Sequence, residues 1–190
     1  MLDIIGLIYI TLSTLYLLWI FPIGIYEFLD LREGYAISDY GYLFETGIYF
    51  SMSAVIAGLL CGLDAITNPI YKKVNILLYN YHALASFTLI GVGLFPSNGE
   101  VGWPSSRILH WFFAFCFLYI YPITRLLILR KFDKRIFKKV VSIFIGINIL
   151  AISLLPVFGL RNIASVEYFI WAALLIAIIF SKLSISKKSK

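Results

Sequence analysis

The chain has 190 residues, of which 61% are apolar and only 14% charged, with a mean hydropathy of +0.92 and a formal net charge of +6. Soluble domains carry about a quarter charged residues, so this composition excludes a soluble globular domain and predicts an integral membrane protein. Two cysteines, Cys61 and Cys116, both inside apolar runs, suggest neither a disulfide framework nor a thiolate metal site and read as small core residues.

A bilayer core about 30 Å thick takes about 20 helical residues to cross. Six runs fit that ruler, at roughly residues 2–21, 46–66, 76–96, 108–129, 140–159 and 167–183. The first, MLDIIGLIYITLSTLYLLWIFP, has no Lys or Arg ahead of its apolar run and no small-residue cleavage pattern behind it. It is expected to be a retained span rather than a secretory signal. The longest connection follows, about 24 residues containing Tyr26, Tyr35, Tyr40 and Tyr42, side chains suited to the headgroup layer. A short surface helix from Ile23 to Leu31, then turns at Gly34 and Gly41, are predicted there. NPIYKK stops the second run, and the third and fifth end at Pro96 and Pro156, because proline removes a donor and restricts its neighbour. The turn IGVGLFPSNGEVGWPSSRILHW joins the third run to the fourth, with Ser105 or Ser106 expected as N-cap. Continuous apolar runs without alternation indicate helices and not the strands of a barrel. The expected architecture is all-α: one integral membrane domain over residues 1–190, a polytopic bundle of six transmembrane helices.

Orientation comes from the cations. All ten lysines fall after the second span (Lys72, Lys73), after the fourth (Lys131, Lys134, Lys138, Lys139) and after the sixth (Lys182, Lys187, Lys188, Lys190). With six spans these places share one face, which the positive-inside rule makes cytoplasmic, so both termini are expected in the cytoplasm. The opposite segments hold seven acids (Glu27, Asp30, Glu33, Asp39, Glu45, Glu100, Glu167) against three bases (Arg32, Arg107, Arg161). The basic excess is a topology signal, and no nucleic acid partner is expected.

Polar groups inside a bilayer cost a few kcal/mol each and must be accounted for. They form two layers: Asp64, Asn80, His82, Arg125 and Arg130 near the inner face, and Glu45, Glu100, Arg107, His110, Arg161, Asn162 and Glu167 near the outer one. Paired histidines would suggest haem. His82 lies about 9 Å from the inner edge and His110 about 3 Å below the outer edge, some 18 Å apart in depth, too far for one iron. No HExxH, CxxC or closely spaced acid pair is present, so no metal or other cofactor is expected. His82 is expected to be a neutral imidazole bonded to Asp64 or Asn80 as part of an inner polar cluster. Arg125 and Arg130 are expected to reach the inner headgroups, and Arg107 and Arg161 to meet phosphates at the outer face. His110, Glu167 and Glu45 begin three different spans at one depth, which makes them candidates for an acid–base pocket. They also suit purely interfacial roles at helix starts. No GxSxG elbow accompanies Ser105, Ser106 and His110.

GVGLFP, the glycine-rich turn, ILHWFFAF and the late GLRNIASVEYFIWAALLIAI together resemble the domain of unknown function 998 family of prokaryotic six-span proteins. The resemblance covers roughly residues 79–178, and its most specific piece is the Gly-x-Phe-Pro turn followed by the histidine. It implies a compact bundle in a prokaryotic cell membrane, with Gly93, Phe95, Pro96, His110 and Glu167 at the family's recurring positions and Tyr168 where the family has Arg. It implies no established activity.

Three functions are open to such a chain. The first is a non-enzymatic bundle that binds a lipid or small molecule, or serves as an accessory subunit beside other membrane subunits. The second is an enzyme on a lipid or lipid-linked substrate at the outer leaflet, using His110 and Glu167. The third is a small transporter with an Asp64–His82 proton relay, for which no broken helix pair or inverted repeat speaks.

Overall fold

The structure, a computed structural model, describes residues 1–20, 44–95, 104–158 and 163–188; side chains are described for all of these except 18–20, 44–46, 104–107, 154–158, 163–168 and 186–188. The described residues form helices and short connections: α1 (Leu2–Ile20), α2 (Phe44–Thr67), α3 (Ile76–Leu94), α4 (Pro104–Phe115), α5 (Tyr121–Phe132), α6 (Lys134–Phe158) and α7 (Ile163–Lys188). Among the described residues, four stretches are long and apolar enough to cross a membrane: Gly47–Thr67, Ile76–Leu94, Ile108–Phe132 and Lys134–Ser153. Leu2–Leu17 and Phe169–Ile185 are shorter apolar helices.

Local chemistry sets most of the boundaries. Asn75 caps α3, its side chain accepting the Leu78 N–H at 2.7 Å. Pro104 opens α4, so Ser105 and Ser106 lie inside its first turn and neither is the N-cap that the sequence suggested. A proline at the first helical position gives up an N–H that has no partner there anyway. α6 begins at Lys134 and not near residue 140, because Asp133 Oδ1 accepts from the Arg135 and Ile136 backbone N–H groups, each at 3.0 Å. That carboxylate also offsets the crowd of cations in the first turns of α6, where the helix dipole disfavours them. α6 then runs through Pro156 to Phe158.

Between α4 and α5 the helix widens into one π-helical turn, Cys116–Ile120, in which the Tyr121 N–H reaches back to the Cys116 carbonyl. Pro122, two residues later, explains it: proline has no N–H for the Leu118 carbonyl and its ring would strike a normal turn. The bulge lets one helical course continue while turning Tyr121, Thr124 and Arg125 into the bundle, where all three are buried.

α2 packs tightly between α1 and α3. A Cβ on Gly58 would come within 2.7 Å of the Ile90 backbone nitrogen, and one on Gly93 within 2.6 Å of the Ser51 carbonyl oxygen. In lipid, where apolar burial gives helices no net drive to associate, such close backbone approach is what makes van der Waals packing sufficient. One core joins Leu7, Ile10, Ala54, Ala57, Leu89, Phe117, Tyr121 and Leu174 from α1, α2, α3, α5, α7 and the π turn. A second joins Tyr71, Leu126, Leu129, Val140, Ala173 and Ile185. α6 is peripheral: 17% of its spanning window is buried, against 44–50% for the other three.

Candidate functional site

The most densely built polar feature lies at the end of the bundle where α1 starts and α2, α5 and α7 finish. Asp3, in the first turn of α1, is completely buried. Its Oδ2 accepts from Arg125 Nη2 at 2.8 Å and its Oδ1 from Lys182 Nζ at 3.0 Å. The same Lys182 ammonium donates to Asp64 Oδ2 at 2.6 Å, so one cation bridges two carboxylates from different helices. The Met1 ammonium donates to Asp64 Oδ1 at 2.6 Å. Arg125 Nε donates to Ser181 Oγ at 3.0 Å, and Ser181 passes its own proton to the Ile178 carbonyl. Asp3 also satisfies the Ile4 N–H at 2.9 Å, as an acid in a first turn does.

Tyr71, on the short 3-10 turn after α2, forms the floor. Its hydroxyl donates to Asp64 Oδ2 at 3.3 Å, and its ring lies 4.8 Å from the Arg125 guanidinium and 5.9 Å from Lys182 Nζ. A ring face attracts cations most strongly where water is absent. His82 sits edge-on to the same ring at 4.8 Å and stacks on Tyr121 at 5.3 Å.

The histidine's tautomer follows from its neighbours. Thr124 spends its one hydroxyl proton on the Tyr121 carbonyl at 2.8 Å, so it accepts from His82 Nδ1 at 3.0 Å and the proton sits on Nδ1. His82 Nε2 and Arg125 Nη1 are buried with no hydrogen-bond partner among the described residues, leaving each able to bond to an internal water or a small polar group.

The sequence-predicted inner residues thus separate. Asp64 and His82 do belong to one buried cluster, but His82 bonds to Thr124 and not to Asp64 or Asn80. Asn80 is exposed on α3, two residues from His82 and so on another face. Arg125 does not reach headgroups: it is fully buried, held by Asp3, Ser181 and Tyr71. Arg130 is exposed, with its guanidinium 5.9 Å from the Phe137 ring. Asp3, Lys182, Ser181, Tyr71 and Thr124 were not among the expected site residues. The available signal for the first two was an acid and a base placed at matching depth on the first and last spans.

At the other end of α3, His110 is buried and its Nδ1 donates to the Phe95 carbonyl at 2.6 Å. This bond ties α4 to the residue that caps α3, across the Gly-Pro-Ser turn. The side chains of Glu45, Glu167 and Arg107, and all of Arg161, Glu100, Asn162, Pro96 and the long connection after α1, lie outside the described residues. Among the described residues no group of three His, Cys, Asp or Glu side chains stands close enough to hold a metal ion.

The cluster is an ionic joint in a low-dielectric setting: two carboxylates, a guanidinium and two ammonium groups, with Asp3 paired to all three cations and Asp64 to the two ammonium groups. No protein-family model, no curated protein and no solved structure matches the chain.

Proposed function

We propose that the protein is a six-span integral protein of a prokaryotic cell membrane, with both termini cytoplasmic, that works without catalysis. It is a bundle that binds lipid or a small molecule, or serves as an accessory subunit beside other membrane subunits. The observation that carries this reading is the commitment of the described buried polar groups to architecture. Asp3, Asp64, Arg125 and Lys182 are consumed by one another, and each histidine has a ring nitrogen engaged, His82 on Thr124 and His110 on Phe95. The Asp3–Lys182 pair supports an even number of spans, since it puts the start of α1 beside the end of α7. Membership of the domain of unknown function 998 family is part of the same proposal; the His110–Phe95 bond gives the spacing of its Gly-x-Phe-Pro turn and histidine a physical reason.

Purification from native membranes in mild detergent tests the function. A stoichiometric lipid or protein partner is expected, and a ligand-free monomer would count against it. Reporter fusions at each terminus test the topology, with both expected on the cytoplasmic side.

A proton-relay transporter is the second reading. What favours it is that ionisable groups inside a membrane segment usually serve a pathway, and here His82 Nε2, within such a group, has no hydrogen-bond partner among the described residues. Asp64→Asn should then alter an uptake phenotype; unchanged uptake removes it.

A further inference from the structure

Beside the buried cluster, α3 and α5 leave an open groove of about 490 Å³ on the bundle's outer surface. One wall is apolar, made by Leu77, Tyr81 and Leu127, all exposed. The other end is basic, made by Arg130, Lys131 and Lys134. We propose that this groove is a binding site for an anionic phospholipid, its phosphate held by the three cations and the upper part of an acyl chain lying on the leucines. The inference rests on the lipid-binding reading above and names the lipid class and the place.

Two features distinguish the groove from a stretch of solvated lysines. First, two of its three cations are held by contacts within the protein. Arg130 stands over the Phe137 ring at 5.9 Å, Lys131 Nζ donates to the Lys73 carbonyl, and Lys134 is the first residue of α6. Each retains donors beyond these contacts, since a guanidinium carries five N–H groups and an ammonium three. The neighbouring acid, Asp133, has Oδ1 bonded to two backbone N–H groups at the start of α6 and Oδ2 3.4 Å from Ser184 Oγ, so its charge is turned toward the helix end.

Second, the basic and apolar parts meet as headgroup and chain do in one lipid molecule. A soluble anion would use only the cations and a zwitterionic lipid would bring an ammonium against them. An anionic phospholipid complements both parts, and basic pockets between transmembrane helices are where such headgroups bind.

Native mass spectrometry of the detergent-solubilised full chain, offered equal amounts of phosphatidylglycerol and phosphatidylcholine, tests this. The wild type is expected to retain phosphatidylglycerol preferentially. The Arg130→Gln/Lys131→Gln/Lys134→Gln variant should retain roughly tenfold less, each basic side chain near an anionic surface contributing up to about a factor of five. A Lys72→Gln/Lys138→Gln/Lys139→Gln variant removes the same charge from exposed positions outside the groove and is expected to retain the lipid as wild type does. Equal loss in both variants, or no loss in the groove variant, overturns the site. Equal retention of the two lipids by wild type overturns the anionic preference and leaves the lipid-binding reading standing, whereas retention of neither defeats that reading itself. If the groove variant does not fold, the wild type decides alone: its phosphatidylglycerol preference should fall as ionic strength rises, and a preference indifferent to salt overturns the proposal.

Discussion

The two ends of the bundle hold helices together by different chemistry. At the Asp3 end, charged side chains from α1, α2, α5 and α7 neutralise one another away from water, with an arginine and an aspartate each about 1% exposed. At the Phe95 end, among the described side chains, His110 donates to the Phe95 carbonyl, a neutral bond between two consecutive helices. The difference is one of reach. A histidine-to-carbonyl bond fixes a local turn, whereas the ion cluster fixes which end of the first helix lies against the last, over sequence separations of up to 179 residues. It also sets the penalty for damage: a neutral bond lost leaves a weakly unsatisfied group, but a charge lost leaves another charge buried without its partner.

The largest effect should therefore come from Arg125→Met. It keeps the side chain's bulk and removes the most deeply buried of the cations facing Asp3; breaking a buried pair costs up to about 3–5 kcal/mol where the remaining charge is uncompensated. Thermal unfolding in detergent should show a large fall in midpoint. Asp3→Asn combined with Arg125→Met should lose less than Arg125→Met alone, because it removes the buried carboxylate oxygen that Arg125 served, the other being still held by Lys182. A single variant that melts like wild type would mean that the cluster contributes no stability.

The same contrast explains what the sequence made legible. Helices followed roughly from run length, although α6 starts at Lys134 ahead of the expected residue 140 and runs through Pro156, the proline expected to end it; the inner polar layer followed from the cost of charge in lipid, which picked out Asp64, His82 and Arg125. Partners did not follow. Asp3 stands at the very start of the first apolar run and was not singled out, yet α1 begins at Leu2 and draws it into the interior. Arg125 looked like Arg130, five residues on, although five residues of helix are about 7.5 Å of depth. That interval separates a side chain that reaches water from one that needs an acid. Tyr71 was legible only as part of a helix-stopping turn, since nothing local indicates that its ring will lie under two cations. The π-helical turn was predictable in principle from Pro122, but its consequence, turning Tyr121 and Thr124 toward His82, depends on packing between distant helices.

Between the two ends, Gly58→Leu tests whether backbone proximity matters as much as charge. Its Cβ would meet the α3 backbone at 2.7 Å, which cannot yield as a side-chain tip can. Overpacking of this kind costs about 1–3 kcal/mol, so the midpoint should fall by less than with Arg125→Met. Gly146→Leu, with nothing within 4 Å of the position, should be tolerated and is the matched control. Equal behaviour of the two variants would show that α2 and α3 do not need their close approach.

His110→Ala should cost less again, about 1–2 kcal/mol for a buried partner lost from a carbonyl, with the effect confined to the α3–α4 turn. Hydrogen exchange is the measurement that separates the two ends: faster exchange near Phe95 without change near Asp3 is expected. Acceleration at both ends would mean that the His110 bond supports the whole bundle and that the contrast between local and long-range ties is wrong.

The smallest effect should come from Trp171→Phe. The indole Nε1 donates to Thr11 Oγ1 at 2.9 Å, joining α7 to α1 well away from the ion cluster, and the ring stacks near Phe117 at 6.1 Å. Phenylalanine keeps most of the stacking and loses the hydrogen bond. Because Thr11 already donates to the Leu7 carbonyl at 2.6 Å, its oxygen does not become a stranded donor. Neutral interhelical bonds in membranes average about 0.6 kcal/mol, and a shift of that size is expected in the unfolding midpoint. The α1–α7 contact is thus predicted to depend far more on Asp3 and Lys182 than on Trp171, although all three link the same two helices. A Trp171→Phe loss as large as that of Arg125→Met would reverse this ranking and make uncharged contacts, not ion pairs, the main tie between the first helix and the last.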